Sequence, residues 1–245
     1  MLSYSRKNTG FKKEACIMPI YNSPLLEIDT KEVRRYAGLR KSDFPESLID
    51  EACLEGRLLA QPKGSWEIYD YDTKSQTVYD TVPFKIDGNK IGKHLENCTK
   101  VIIMSATVGE DIEETVTKHF SEGRYAYSTL LDSAATTAVE QIADSMEKYL
   151  KPMLARQGLA MKWRFSPGYG DWPIEQQPEL LRLSKASLIG VSLTESFMLY
   201  PRKSITAIIG LYPKEMECPN DKGFQHDCTQ CSKLDCISRK SDIEK

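Results

Sequence analysis

The chain has 245 residues, 40% hydrophobic and 28% charged, with a formal net charge of −2, which is the composition of an ordinary soluble globular protein. A balance this close to neutral gives no electrostatic case for nucleic acid or an anionic membrane surface, and no apolar run approaches the ~18 residues of a transmembrane helix. The mildly basic start (Arg6, Lys7, Lys12, Lys13) lacks a following apolar stretch and does not read as a secretory signal, so the cytoplasm is the expected compartment.

Residues 1–24 are polar and poorly periodic, and a loosely held N-terminal segment is expected there. Asp29 to Leu39 reads as a short helix, with Asp29 or Thr30 as cap, Glu32 in the first turn and Gly38 at the end. Phe44 to Pro62 repeats the pattern, with Leu48, Ala52 and Leu58 or Leu59 on one side. From Ser65 to Ile86, apolar residues fall at roughly alternate positions, which predicts strands around a turn at Asp72–Gln76. Val101 to Met104 reads as a buried strand, followed by a small-residue turn, "SATVGED", and a helix. The unpaired N–H groups at that helix start suit either a ligand lip or an ordinary connection.

The longest predicted helix runs from about Ser128 to Leu150, with Leu131, Ala135, Val139, Ile142 and Met146 on one stripe, and Pro152 and Gly158 closing it. "PELLRLSKASLI" predicts one more helix, and "MLYPRKSITAIIGLYP" a strand or strand pair with Pro201 at an edge or a strand start. Helices and strands alternate without a βαβ rhythm. The expected class is therefore α+β, with a largely antiparallel sheet.

One stretch carries more punctuation than a turn needs. "RFSPGYGDWP", Arg164 to Pro173, holds two glycines, two prolines, a tyrosine, a tryptophan, an arginine and an aspartate. Gly168 and Gly170 let a ligand approach the backbone. Arg164 supplies a planar cation for a carboxylate, and Tyr169 and Trp172 supply flat surface for a ring or a sulfonium. These residue types fit a zwitterionic, ring-bearing ligand such as S-adenosylmethionine; they fit equally a rigid surface turn with a packed aromatic.

The same stretch resembles the activation domain of cobalamin-dependent methionine synthase, through an Arg-x-x-x-Gly-Tyr core and a nearby proline: Arg164, Gly168, Tyr169 and Pro173. A second stretch, "IGVSLTESFMLYPRKSITAIIG" (Ile189 to Gly210), is similar to a further signature of that family. The resemblance covers about residues 25–212 and implies a curved α+β body with a central antiparallel sheet flanked by helices. It also implies S-adenosylmethionine as cofactor, with Arg164 holding its carboxylate, Pro167, Gly168 and Tyr169 approaching it, Glu195 in the second motif and Tyr200 as an aromatic wall. Thr194 and Ser196 match that second motif as well. The implied role is reductive remethylation of a cobalamin carried by a partner protein or module, in a split methionine synthase, with a flavodoxin-like or ferredoxin-like electron donor. No acid–base residue is implied as catalytic, because the sulfonium is already activated and the nucleophile is cobalt. Gly170, Asp171, Trp172, Arg202 and Lys203 depart from the family pattern, which points to a different docking rim. Two other readings stand beside this one: a reactivator of another corrinoid methyltransferase system, and a non-catalytic metal-dependent interaction module.

Four of the seven cysteines fall in the last 28 residues, at Cys218, Cys228, Cys231 and Cys236. The spacing C-x9-C-x2-C-x4-C suits a Zn site or an iron–sulfur cluster, with His226 as a substitute ligand, or a reduced tail with incidental thiols. Cys16, Cys53 and Cys98 read as unrelated thiols, and His94 and His119 as surface or helix residues. The expected organisation is residues 1–24 as the loose segment, 25–212 as the ligand-binding domain and 213–245 as the cysteine-rich tail.

Overall fold

The computed structural model describes residues 20–216 except 23, 40 and 41. Among these residues β1 (Lys63–Asp72), β2 (Thr77–Tyr79), β3 (Phe84–Lys85), β4 (Lys100–Thr107), β5 (Leu159–Met161) and β8 (Ser204–Pro213) form one six-stranded sheet in the order β3-β2-β1-β4-β8-β5. Every pairing in it is antiparallel. A small hairpin, β6 (Ser192–Leu193) with β7 (Leu199–Tyr200), stands apart. The helices are α1 (Thr30–Tyr36), α2 (Glu46–Leu59), α3 (Asn89–His94), α4 (Asp111–Ser121), α5 (Tyr125–Arg156) and α6 (Gln177–Ser184). This is the α+β architecture expected, an antiparallel sheet with helices on both faces.

β4 is the axis of the sheet. It pairs along its whole length with β1 on one side and β8 on the other, and all but its first residue are buried. Successive residues point to opposite faces. On the outer face, Ile102, Met104 and Ala106 join Trp66, Ala207, Ile209 and Leu211 against α1, α2, α4 and α5. On the inner face, Val101 and Ile103 join Tyr71, Val78, Phe84, Ile208 and Tyr212 under α3, Phe165, Trp172 and α6.

Local sequence accounts for the start of α1. Asp29 caps α1, accepting from the amides of Lys31 and Glu32 at 2.9 and 3.3 Å. Two expectations are corrected. β4 continues through Ser105, Ala106 and Thr107, so the first half of "SATVGED" is strand rather than turn, because pairing to β1 and β8 extends that far. α5 runs on past Pro152 to Arg156. Pro152 and Lys148, the residue whose carbonyl loses its partner, are both exposed, while Leu150 and Leu154 are buried and anchor the last turns. The predicted helix over "PELLRLSKASLI" is also split: Lys185 adopts φ 57°, ending α6, and a 3-10 turn, Ala186–Ile189, follows.

The sheet curls, and residues 163–176 strap its two edges together. At one edge Phe165 bridges Ile208 of β8. At the other, Gln176 donates through Nε2 to the Lys85 carbonyl of β3 at 3.0 Å and accepts from the Asp87 amide at 2.9 Å. The Trp172 indole donates to the same Gln176 oxygen at 2.6 Å. Asp171 accepts from the Asn89 and Lys90 amides at 2.9 Å each and so caps α3 from across the strap.

Both described histidines lie in helices, as expected, His94 at the end of α3 and half-buried, His119 in α4 and buried. His94 stacks among Trp163 and Phe165, with ring centroids at 4.3 and 5.5 Å, and donates from Nε2 to the Trp163 carbonyl at 2.9 Å. Burial lowers its pKa to about 4, against the opposing pull of that hydrogen bond. His119 is buried between α2 and α4, with Nε2 at 3.2 Å from Glu55 and Nδ1 accepting from Arg124 at 3.1 Å. Tyr127 donates to the other Glu55 oxygen at 2.7 Å.

Two outcomes follow. Gln176→Ala removes three hydrogen bonds and leaves the Trp172 indole buried without an acceptor, so urea unfolding is expected to show a loss of about 2–3 kcal/mol. His94 is held neutral in the folded state, whereas in the unfolded chain it takes a proton near pH 6.5. Its effect on stability is therefore nil above pH 6.5 and increasingly unfavourable as pH falls toward 4, reaching at most about 3 kcal/mol. His94→Gln is expected to flatten the wild-type loss of stability over that window, as read from urea midpoints at stepped pH. Parallel pH profiles for the two proteins would contradict the assignment.

Candidate functional site

The strap brings Arg164, Pro167, Gly168 and Tyr169 together in one short segment beside β8. Strand alternation sends Phe165 to the inner core and Arg164 the other way, toward α5. Ser166 donates to the Thr206 carbonyl of β8 at 2.7 Å and fixes the base of the loop. Pro167 is buried. Gly168 and Gly170 have φ of 89° and 62°, so both glycines are required by the turn itself. The turn is closed by the Gly168 amide to the Trp172 carbonyl and the Trp172 amide to the Tyr169 carbonyl, at 2.9 and 3.0 Å. Tyr169 lies at the tip, 53% exposed.

Three residues counted as departures from the family pattern serve the fold. Trp172 is 2% exposed in the inner core and is no platform for a ligand. Asp171 is the cap of α3, and Gly170 sits against the Lys90 side chain, which an added Cβ would meet at 2.9 Å.

Arg164 lies in a ring of carboxylates. Its NH1 donates to Asp144 at 2.6 Å and Glu147 at 2.5 Å, and its NH2 to Glu140 at 2.7 Å. All three acids stand on one face of α5, at steps of four and three residues. Burial opposes the charge on Arg164, but Glu147, Asp144 and Glu140 outweigh it and raise its pKa further. The burial of Glu147 raises that carboxyl's pKa, against the pull of Arg164, with Asp144 and Glu140 adding to the rise. Three of the five guanidinium N–H donors are taken, and the ring carries more negative than positive charge. Sequence reasoning missed these acids. Glu140, Asp144 and Glu147 were visible as a polar stripe at helical spacing, but nothing in the sequence says that Arg164 packs against it.

The α5 stripe continues beyond them. Thr136 accepts from the Lys203 ammonium at 2.9 Å, and Asp132 pairs with it at 2.8 Å. A polar seam of about four turns thus runs along α5 beside the start of β8.

Glu195 and Tyr200 belong to the separate hairpin. Glu195 is exposed at its turn and makes no hydrogen bond or ion pair among the described residues. The turn is held instead by Thr194, whose Oγ1 accepts from the Met198 amide at 3.1 Å and lies 3.1 Å from Ser196 Oγ. Tyr200 donates to Glu110, just before α4, at 2.6 Å, and that bond raises its pKa. Tyr200 and Arg202 line an open depression with Glu110, Glu113, Glu114 and Thr117. No hydrogen bond among the described residues joins this hairpin to the Arg164 loop. The start of α4 has no side-chain cap, and Gly109 donates to Thr107 Oγ1 at 3.1 Å.

Cys218, Cys228, Cys231, Cys236 and His226 lie outside the described residues. Among the described residues no group of three or more His, Cys, Asp or Glu is arranged to hold a metal ion, and no helix is long and apolar enough to cross a membrane. Cys53 and Cys98 are buried and form no disulfide with each other, and burial, with Asp50 and Asp29 adding, pushes the Cys53 thiol up to about 11.

No protein-family model and no curated protein sequence matches the chain. Solved structures do. The MetH reactivation domain bound to AdoHcy is similar with a TM-score of 0.57 at 12% sequence identity, over 82% of this chain and 81% of that one. In fold, therefore, the chain is a counterpart of the MetH reactivation domain.

Proposed function

We propose that the chain binds S-adenosylmethionine on the seam between the Arg164–Tyr169 loop and α5, and that it supports reductive remethylation of a cobalamin carried by a separate protein. The observation that carries the reading is the charge pattern around Arg164. One guanidinium faces three carboxylates, Glu140, Asp144 and Glu147. S-adenosylmethionine carries a sulfonium, an ammonium and one carboxylate, a net positive charge. The excess acid on α5 complements the two cationic centres, and the guanidinium N–H groups not engaged by α5 suit the carboxylate. Tyr169 at the exposed tip offers a ring face to the purine or the sulfonium. The fold likeness to a domain solved with AdoHcy supports a ligand of this class.

Bound S-adenosylmethionine would supply an activated methyl group. The chain's own task would be positional: Arg164 and the α5 acids hold the amino-acid end, the glycine turn allows close backbone approach, and the strap keeps the loop rigid. In this reading the partner protein supplies the corrinoid, and a flavodoxin-like or ferredoxin-like protein supplies the electron. An iron–sulfur cluster held by the cysteine tail would pass that electron on, whereas Zn in the same place would be structural, since it has no redox chemistry.

The first experiment is calorimetric titration of the full chain with S-adenosylmethionine and with S-adenosylhomocysteine. Saturable one-to-one binding is expected, with S-adenosylmethionine favoured by about tenfold, because only it presents the sulfonium to the acids. Absence of binding to either ligand at millimolar concentration would remove the basis of the reading. Tyr169→Ala is expected to weaken binding by about tenfold with little change in Tm, since the side chain is exposed. Arg164→Met is expected to cost about 3 kcal/mol of stability as well as affinity, because it leaves Glu147 buried without its cation. Urea unfolding separates that stability loss from the binding loss.

A further inference from the structure

Strand alternation places Ser105 of β4 on the inner face with Ile103, Thr206 of β8 with Ile208, and Ser65 of β1 opposite to Trp66. The register pairs Ser65 with Ser105, and Ser105 with Thr206. Three hydroxyls therefore stand in a row across three adjacent strands. Ser65, Ser105 and Thr206 are 1%, 0% and 2% exposed, and none of the three hydroxyl oxygens has a hydrogen-bond partner among the described residues. Gln177, at the start of α6, has a buried side-chain oxygen in the same condition.

The row has a roof. α6 packs on β1, β4 and β8, and the 3-10 turn over residues 186–189 packs on β1 and β4. The roof gathers its own small apolar cluster, Ala186, Ile189 and Val191 with Leu181 and Leu199, which does not merge with the inner core. The next row along the sheet is polar too, with Ser204 donating to Thr107 at 2.9 Å. A hydroxyl sealed away from both water and protein partners is strongly disfavoured. Paired residues on adjacent antiparallel strands hold their Cβ atoms about 4.5–5.5 Å apart, a gap that one bridging water spans. Buried waters typically make about three bonds to such otherwise unsatisfied groups.

We infer that the Ser65–Ser105–Thr206 row, closed over by α6 and the 3-10 turn, is a binding site for ordered internal water. The waters link hydroxyls of β1, β4 and β8 to one another and tie the sheet to its roof. Thr206 places the site directly beneath the candidate loop, since Ser166 holds the Thr206 carbonyl. The inference does not depend on what that loop binds.

The test pairs a high-resolution crystal structure of the full chain with melting of Ser105→Ala and Thr206→Val. Ordered water is expected within about 3 Å of at least two of the three hydroxyls. Each variant is expected to melt about 2–4 °C below wild type, because each strips a partner from a retained water. Thr206→Ser, which keeps the hydroxyl, is expected to melt above Thr206→Val. A dry row in the crystal overturns the inference. So do Ser105→Ala and Thr206→Val melting at or above the wild-type temperature, the result expected when an unpaired hydroxyl is replaced by an apolar group.

Discussion

Burial of β4 on both faces is the constraint from which the rest of the structure follows. A strand with Val101, Ile102, Ile103 and Met104 all at 0% exposure cannot face water on either side. One face needs a helical layer, and α5 supplies it with a long stripe of small and apolar residues, including Ala134, Ala135 and Ala138. The other face is covered by the strap and two short helices, α3 and α6. Phe165, Trp172, Leu180 and Leu183 fill that space. The loop with the candidate site is thus part of the closure of the fold, and its position is set by core packing on its reverse side.

This double duty explains the composition of the loop. Arg164 and Phe165 are neighbours that look in opposite directions, Phe165 inward and Arg164 toward α5, and the glycine turn then brings Trp172 inward as well. The arginine neutralises part of an acidic helix face that would otherwise repel itself, so some of its charge is spent on structure before any ligand arrives. The same arrangement leaves an acidic excess at a partly open seam. In the proposed reading, a fixed internal cation of this kind lets the chain fold without its cationic ligand: it holds the acids together and does not cancel them.

Much of this was legible in the sequence, for identifiable reasons. The Asp29 cap, the α5 stripe and the turn before Thr77 are local signals and came through. α3, β5 and β6 did not, because two to six residues carry no period that can be read. The loop itself was conspicuous, yet its parts were sorted imperfectly. Trp172 and Asp171 looked available to a ligand or a partner and are occupied by the core and by the start of α3. A tryptophan followed by proline gives no sign of which way its ring turns. His119 was similarly opaque, since its partners Glu55 and Arg124 come from different elements.

By itself the sequence determined the α+β class, the long helix, the central buried strand and the loop where chemistry is concentrated. Each of these rests on periodicity, composition or backbone preference within a short window. Only the tertiary structure decided that the two edges of the sheet are strapped through Gln176, that Arg164 meets Glu140, Asp144 and Glu147, and that three hydroxyls line up across β1, β4 and β8. Those are contacts between residues from about 17 to more than 100 positions apart. Sheet register and helix rotation set them together, and neither is encoded in any one segment of the chain.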